Sequence, residues 1–379
     1  MKIGIIGCGV VGAAIAYRLS KVPGIEVLAF DQRKPSQLDA TGAALGVLMA
    51  VSSSKLKGRN VALRLDSLRL YETLIPELVQ LTGIDIPYNR HGIVQLCFDV
   101  EEFQRWDAMQ VARHKKGFDL ALWSRSQVLE HFPELAQAYW GEPDAVAVGA
   151  VYSPQDRQVD PTVLTHALLE GARQQGSRIQ FQTPVSVFQT TGVEPQRQVT
   201  HLGLPDESVA VDWLVVAAGL GSMPITQTLQ QPISLGPVLG QALHVRCSVP
   251  WPTQMPVING CDVHLVPVNA HEGWVGATVE YPLADDPDRV EPNPQDLERL
   301  REQAIALYPP LAEATILRTW QGFRPRPNER AAPIIAPLPG YTNVLLATGH
   351  YRNGILLAPI TAEKIYRYLA QIERLPPDE

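Results

Sequence analysis

Three glycines near the start of the chain, Gly7, Gly9 and Gly12, have the spacing that suits a dinucleotide cofactor. They directly follow an apolar run, residues 2–6, that is typical of a buried strand. In this pattern the first glycine permits a tight turn, the second lets the backbone approach a pyrophosphate, and the third lets the next helix pack closely on the sheet. The amides of that helix, predicted over 11–20, then face the phosphates.

A second predicted strand, residues 25–30, ends at Asp31, which lies 19 residues beyond Gly12. Its carboxylate suits the hydroxyls of an adenosine ribose and disfavours a 2′-phosphate. The alternative interpretation is a glycine-rich turn that binds no nucleotide. We reject a secretory signal, because glycines break the apolar stretch and no cleavage-site pattern follows. We therefore expect a complete cytoplasmic protein.

The composition is that of an ordinary enzyme of one or two domains. The chain has 379 residues, a net charge of −7 and 45% hydrophobic residues, so no broad basic face indicates nucleic acid or an anionic membrane. The basic stretch 113–116 is interpreted as a solvated turn. The four cysteines show no metal-ligand spacing and suit a reducing compartment. No apolar run reaches the ~18 residues of a membrane span, so we expect no membrane. From the cysteine spacing we expect no metal, and from the net charge we expect no nucleic acid.

Further elements are predicted along the whole chain. A helix over 60–81 ends at Gly83, and a second helix has Asp160 as its cap, Pro161 in its first turn and Gly176 as its stop. Buried strands of a doubly wound sheet are predicted over 178–182, 209–218 and 343–347. Adjacent antiparallel strands are predicted over 241–246, 263–268 and 274–280.

This pattern predicts an α/β fold: a Rossmann-like nucleotide-binding domain, with a doubly wound parallel sheet, into which an antiparallel-sheet substrate domain is inserted. The predicted boundaries are 1–85, 146–226 and 324–379 for the first domain and 86–145 and 227–323 for the second. Because the nucleotide-binding fold is completed only near the C-terminus, FAD at a domain interface is favoured over NAD.

The C-terminal sequence ATGHYRNGILLAPIT, residues 347–361, resembles the closing signature of the FAD-dependent amino acid oxidases of the D-amino acid oxidase superfamily, and within it the glycine oxidases. The segment WQGFRPRPNERAAPIIAP, residues 320–337, precedes it as in that family. DATGAALGVLMA, residues 39–50, resembles the loop of small residues beneath the flavin. VVAAGLGS, residues 215–222, and the strands of 261–280 match in the same order. The resemblance spans nearly the whole chain.

The resemblance implies a noncovalent FAD, because the last cysteine, Cys261, lies far before the C-terminal motif to which covalent relatives attach the cofactor. The residues that we predict to bind FAD, from the glycine motif and the family motifs together, are Gly7, Gly9, Val10, Val11, Gly12, Asp31, Thr41, Gly42, Ala43, Ala44, Gly46, Val185, Ala218, Gly219, Arg324, His350, Tyr351, Arg352, Asn353, Gly354, Ile355 and Leu356.

Two arginines are implied at the reaction centre. Arg324, predicted to follow a strand over 320–323, resembles the arginine that holds the substrate carboxylate, a task that suits the planar fork of guanidinium. Arg352 lies in the loop that the family places against the flavin, before a helix in which Pro359 is expected to be tolerated in the first turn. The alternative for this loop is a plain strand-to-helix turn. Arg326 and Arg330 are interpreted as surface charges.

His264 departs from the family pattern, which usually has a tyrosine here to bind the substrate carboxylate. A histidine can donate to the same group and is expected to make binding depend on pH near neutrality. The alternative is a half-buried strand histidine that binds no ligand. Val279, beside a position that carries a larger side chain in related proteins, is expected to change the space for substrate.

The implied reaction is hydride transfer from the Cα of glycine, N-methylglycine or a small D-amino acid to flavin N5, with dioxygen as electron acceptor and a 2-oxo acid, ammonium and hydrogen peroxide as products. The alternatives are a dehydrogenase with another electron acceptor and a non-catalytic dinucleotide-binding module. The resemblance further implies a link to thiazole synthase in thiamine biosynthesis and is compatible with a homo-oligomer.

Overall fold

The computed structural model describes residues 1–56, 58–137, 139–140, 142–282, 286 and 289–373. Its helices are α1 (Val10–Ser20), α2 (Asp39–Gly42), α3 (Arg59–Thr82), α4 (Val100–His114), α5 (Arg125–His131), α6 (Pro161–Gln174), α7 (Ser222–Thr228), α8 (Pro294–Leu307) and α9 (Gly354–Glu373). Its strands are β1 (Lys2–Ile6), β2 (Glu26–Phe30), β3 (Val47–Leu48), β4 (Tyr88–Asn89), β5 (Ile93–Cys97), β6 (Ala121–Ser124), β7 (Tyr139–Trp140), β8 (Glu142–Val146), β9 (Gly149–Ser153), β10 (Arg157–Val159), β11 (Arg178–Gln180), β12 (Val187–Thr191), β13 (Gln198–Gly203), β14 (Ser208–Ala210), β15 (Trp213–Val216), β16 (Leu235–Arg246), β17 (Val257–Gly260), β18 (Val263–Pro267), β19 (Glu272–Gly276), β20 (Thr315–Pro327), β21 (Ile334–Pro337) and β22 (Val344–Thr348).

A six-stranded sheet has the order β11-β2-β1-β15-β22-β21, with parallel pairing throughout except at the edge strand β21. Its strands come from the first, middle and last parts of the chain, which confirms the predicted fold class. The strand predicted over 209–218 is wrong in one respect, because it divides into β14 and β15. These pair with different sheets, and at the step between them the Asp212 carboxylate accepts the amide hydrogen of Lys2 at 2.6 Å.

An eight-stranded, largely antiparallel sheet has the order β20-β16-β19-β18-β17-β5-β9-β6. The predicted antiparallel strands lie in β16, β18 and β19, although β19 ends at Gly276 rather than at 280. The sheets change two predicted boundaries. Strand β9 lies within the predicted segment 146–226 but pairs with β5 and β6, and β20 continues past 323 to Pro327. The rest of the two-domain division stays a proposal, and residues 374–379 of its last segment lie outside the described residues.

Helices α1, α6 and α9 pack on the six-stranded sheet, and α3 packs on α6 and α9. The predicted helix ends are confirmed: Asp160 accepts the amides of Thr162 and Val163, and Gly83 ends α3 with a left-handed φ of 70°. Because α1 packs beside α9, the glycine turn before α1 and the loop before α9 meet at the carboxyl edge of the sheet. The fold thus brings the two ends of the chain to one place.

Pro359 lies in the second turn of α9, not in the first turn as predicted. Its ring therefore leaves the carbonyl oxygen of Ile355 without the helical amide that would bind it. The hydroxyl of Tyr71 donates to that oxygen at 2.5 Å, and Ser67 donates to the carbonyl of Leu356 at 2.6 Å. Tyr71 of helix α3 thus supplies the hydrogen bond that the proline removes.

We expect Tyr71→Phe to lower the free energy of unfolding by about 1–3 kcal/mol, because it leaves a buried carbonyl oxygen without a donor. Urea denaturation measures this change. Tyr152→Phe is the matched control, since its hydroxyl donates to an exposed carbonyl at 3.2 Å, and its effect should stay within about 0.5 kcal/mol. Equal losses in the two variants would contradict the role assigned to Tyr71.

Candidate active site

A cavity of about 1210 Å³ lies where the two sheets meet. One side is formed by the glycine turn, the loop of small residues and the loops that follow β15 and β22. The other side is formed by β5, β16, β17, β18 and β20 of the eight-stranded sheet. The carboxyl ends of parallel strands are the usual ligand-binding edge of an α/β sheet.

Of the 23 residues predicted for the site, 18 line this cavity and five do not. Gly42 belongs to the short helix α2 beside the cavity, and Val185 packs on the apolar cluster under the six-stranded sheet. The other three, Gly7, Gly12 and Asp31, lie behind the lining. The lining residues are Gly9, Val10, Val11, Thr41, Ala43, Ala44, Gly46, Ala218, Gly219, His264, Arg324, His350, Tyr351, Arg352, Asn353, Gly354, Ile355 and Leu356.

The glycine turn presents backbone to the cavity. Gly7 has a φ of 104°, and a Cβ on Gly12 would overlap the carbonyl oxygen of Gly7, so these two glycines shape the turn. Gly9 is the N-cap of α1, and within 4 Å a Cβ there would meet only the hydroxyl of Thr41. That hydroxyl accepts the amide of Val10 at 3.2 Å. The N-terminus of α1 is therefore open toward an anionic ligand.

Asp31 is buried and already engaged. Its carboxylate accepts the Cys8 amide at 2.8 Å and the Arg33 side chain at 2.6 and 2.9 Å. Burial favours a higher pKa for Asp31, but the bonds from Arg33 and Cys8 outweigh it and lower this pKa below its usual value. Arg33, which also pairs with Asp39, lines the cavity where Asp31 was expected. The predicted ribose contact of Asp31 stays a prediction.

Arg324 lies inside β20 rather than after a strand that ends at 323. Its Nη1 donates to the carbonyl oxygens of Leu239 and Thr278, both at 3.0 Å, and its head lies over Gly240, where any Cβ would collide with it. Burial and the positive charge of Arg352 lower the pKa of Arg324, yet a guanidinium remains charged at neutral pH. Nε and Nη2 have no protein partner among the described residues.

A buried carboxylate stands behind this arginine. Glu280 is 8% exposed and accepts hydrogen bonds from Gln241 at 3.0 Å, from the Thr278 hydroxyl and from the Asn293 amide at 2.8 Å. The bonds from Gln241 and from the Thr278 hydroxyl fix the segment that carries the Thr278 carbonyl. Glu280 therefore positions Arg324 through the backbone and adds a compensating negative charge. No sequence signal singled out Glu280.

Arg352 forms an ion pair that the sequence did not indicate. Its Nη1 and Nη2 lie 3.2 and 3.1 Å from the two carboxylate oxygens of Asp262, in the turn between β17 and β18. Beside it, the hydroxyls of Tyr351 and Tyr281 lie 3.1 Å apart. The charge of Arg352 is thus balanced within the protein, and its loop reaches from one sheet to the other.

His264 lines the cavity from β18, and its Nδ1 is buried without a hydrogen-bond partner. Burial and the charge of Arg352 lower the pKa of His264 to about 4, so the imidazole is neutral at physiological pH. The expectation that this residue titrates near neutrality is therefore wrong. A neutral ring can still donate one hydrogen bond and accept another.

His264 continues a polar row across the sheet. It pairs in register with Asn259 of β17, which pairs in turn with Gln95 of β5. Register partners point to the same face of a sheet, so all three side chains line the cavity wall. The oxygens assigned as Asn259 Oδ1 and Gln95 Oε1 are buried without partners. Sequence inspection missed both amides because only strand pairing brings them together.

The loop of residues 50–55, which supplies part of the lining, is held by two buried charges. Asp156 accepts the amides of residues 50, 51 and 52 at 2.8 Å, and Arg113 donates to the carbonyls of residues 51, 53 and 55 at 2.9–3.0 Å. Arg113 is completely buried, so the interpretation of 113–116 as a solvated turn is wrong for this residue. Arg326 and Arg330 are exposed, as expected.

FAD fits this cavity. The open helix N-terminus suits a pyrophosphate. Room for a planar ring beside backbone amides is left by small lining residues: Thr41, Ala43, Ala44, Gly46 and Gly354. Five of the nine buried polar atoms that lack a partner among the described residues belong to cavity residues, which indicates a polar ligand: Ser53, Arg64, Gln95, Asn259 and His264. Within the described chain, no cluster of three or more metal-ligating side chains occurs. No helix in the same residues is long and apolar enough to span a bilayer.

Comparison with known proteins agrees with this geometry. The model of the DAO family, described as FAD dependent oxidoreductase, matches residues 2–367. Glycine oxidase from Geobacillus kaustophilus is 30% identical over 365 residues, which cover 95% of this chain and 90% of that protein. The bifunctional protein ThiO/ThiG from Synechocystis sp. is 32% identical over 372 residues, 95% of this chain, so the chain spans only about half (50%) of that relative's length.

The fold agrees as well. The crystal structure of glycine oxidase from Geobacillus kaustophilus superimposes with a TM-score of 0.83 at 27% identity, covering 99% of this chain and 95% of the other. These comparisons confirm the family resemblance that the C-terminal motif indicated. They also confirm FAD as the cofactor. The chain belongs to the DAO family of FAD-dependent oxidoreductases.

Proposed function

We propose that this protein oxidises glycine and other small amino acids, such as N-methylglycine and small D-amino acids. The observation that carries the proposal is the anchoring of Arg324. Two backbone carbonyls fix its Nη1, and no described residue binds Nε or Nη2, so these nitrogens of a cavity-lining side chain are available to a carboxylate. A guanidinium held in this way binds a carboxylate in one orientation, with two parallel charge-assisted hydrogen bonds.

In the balanced reaction, glycine, dioxygen and water give glyoxylate, ammonium and hydrogen peroxide. The chemistry that bound FAD would supply is hydride acceptance from the substrate Cα, followed by reduction of dioxygen. The protein supplies orientation. Arg324 holds the substrate carboxylate, and the neutral imidazole of His264 is placed to donate a second hydrogen bond to it.

Neither His264 nor Asp262, which lie next to Arg352 together with the hydroxyls of Tyr281 and Tyr351, is suited to remove a proton from the substrate amine. His264 has a pKa of about 4, which makes it a weak base, and Asp262 is held in its ion pair. The amine therefore enters as the neutral form, whose lone pair assists the departure of the hydride.

We further propose that FAD is bound without a covalent link. Cys261 lines the cavity, but burial raises the pKa of its thiol to about 11, so it is protonated rather than a reactive thiolate. The proposed link to thiazole synthase and a cytoplasmic location have indirect support. They rest on the resemblance and on the name of the Synechocystis relative, which joins ThiO to ThiG in one chain.

We expect Arg324→Lys to lower kcat/KM for glycine and N-methylglycine about 10²- to 10³-fold, because an ammonium cannot replace two parallel guanidinium bonds. The measurement is peroxide release, with the visible flavin spectrum as the test of cofactor content. Arg326→Lys is the control and should retain activity, since that side chain is exposed. A flavoprotein that these substrates reduce without peroxide release would indicate a dehydrogenase, and a colourless protein would refute the proposal.

His264→Asn should lower kcat/KM by a factor that stays constant from about pH 6 to pH 8.5. The physical reason is that His264, with a pKa of about 4, is neutral throughout this range. Taking the ratio of wild type to variant removes the pH dependence of the amine itself. A ratio that changes about tenfold around pH 6.5 would show that the histidine titrates in the working range.

A further inference from the structure

The cavity contains a second guanidinium that the oxidation of glycine does not use. Arg64 of α3 is half-buried and lines the cavity, and its Nε is buried without a hydrogen-bond partner. Among the described residues no carboxylate pairs with it. The charged groups that act on it most strongly are two further arginines, Arg352 and Arg113. A partly desolvated cation beside like charges is unfavourable unless an anion joins it.

The neighbouring arginine cannot serve as that anion's main partner, because Asp262 already holds it. Both terminal nitrogens of Arg352 face the Asp262 carboxylate at 3.1 and 3.2 Å. Arg64 therefore remains the cation without a counter-ion in this part of the cavity. Arg64, Arg352 and Arg324 all line the same cavity, and the charge of Arg352 acts on both of the others.

The wall beside these groups is polar over a length that exceeds a glycine molecule. Gln95, Asn259 and His264 lie side by side on β5, β17 and β18, each with a buried atom that lacks a partner. Adjacent strands are about 4.8 Å apart, so the row spans roughly 10 Å. Asn259 is only 3% exposed. An amide can turn its NH₂ group toward a carboxylate or its oxygen toward an amine.

We infer that Arg64 binds a second acidic group of the substrate, so that the preferred substrates are glycines whose nitrogen carries an acidic arm. Arg324 holds the α-carboxylate, Arg64 holds the distal carboxylate, and the amide row accommodates the arm between them. This inference rests on the proposed function and specifies its substrate class.

The chemistry is that of the proposed reaction. A hydride leaves the α-carbon with its electron pair, dioxygen is reduced to hydrogen peroxide, and the nitrogen is left as an imine. Water then cleaves the carbon–nitrogen bond, which gives glyoxylate and the amine of the acidic arm. N-(2-carboxyethyl)glycine therefore yields β-alanine, glyoxylate and hydrogen peroxide, whereas N-propylglycine, of similar length but without the acid, yields propylamine.

The kinetic test compares these two substrates in the FAD-loaded wild type and in Arg64→Gln. We expect the wild type to prefer the diacid at least about tenfold, and the variant to lose about 10- to 100-fold in kcat/KM for the diacid only. Its value for N-propylglycine should change by roughly twofold or less. Arg105→Gln, which removes a positive charge from an exposed site on α4, is the control and should change neither value.

A binding test separates this inference from the reaction itself. The ethers 3-(carboxymethoxy)propanoate and propoxyacetate have the shapes of the two substrates but cannot be oxidised, and calorimetry measures their Kd. If Arg64→Gln raises the Kd of the diacid ether only, the result supports the site, even where no amine is oxidised and the proposed function fails. Equal weakening of both ethers, no change in either, or a wild type without preference for the diacid would overturn the inference. If Arg64→Gln does not load FAD, Arg64→Lys, which keeps the charge on a shorter arm, should give an intermediate loss.

Discussion

The anchoring of one guanidinium by backbone carbonyls is the interaction on which the site depends. The carbonyl oxygens of Leu239 and Thr278 belong to segments that the eight-stranded sheet holds in register, so they cannot move independently of it. A side chain on a flexible loop could not fix a carboxylate with the same precision. The absence of a side chain at Gly240 provides the space, and Glu280 fixes the segment behind. In the proposed function, substrate orientation is thus a consequence of strand pairing.

Desolvation explains how the other charges of the cavity are arranged. A charge that leaves water needs a partner, and the structure meets this need in different ways. Asp31 is held by Arg33, the partly buried Arg352 by Asp262, and Asp156 by three amides of the loop at 50–52. Where the partner is missing, as at Arg64, a ligand is the natural source of the compensating charge. The distribution of partners therefore distinguishes structural charges from those that face a ligand.

Features that depend on neighbouring residues were predictable from the sequence. The turn at Gly7 and the cap at Asp160 follow from local backbone requirements, and both are present. Features that depend on residues far apart in the chain were not. Arg113 looked solvated because its sequence neighbours are basic, yet its head is buried against a loop some 60 residues earlier. Likewise, no spacing rule relates Gln95 to Asn259, which become neighbours only through the register of β5 with β17.

The same reasoning explains why a histidine suits the position where the family usually has a tyrosine. A phenol offers one hydroxyl at the end of a long ring, whereas a neutral imidazole has a donor and an acceptor on a shorter side chain. At residue 264 the ring lies in register with Asn259 and extends a row of groups that can each donate and accept. Its low pKa keeps this capacity unchanged across physiological pH and avoids adding a third cation beside Arg324 and Arg352. The substitution is therefore consistent with a wall that recognises polar groups by hydrogen bonding and leaves charge recognition to the arginines.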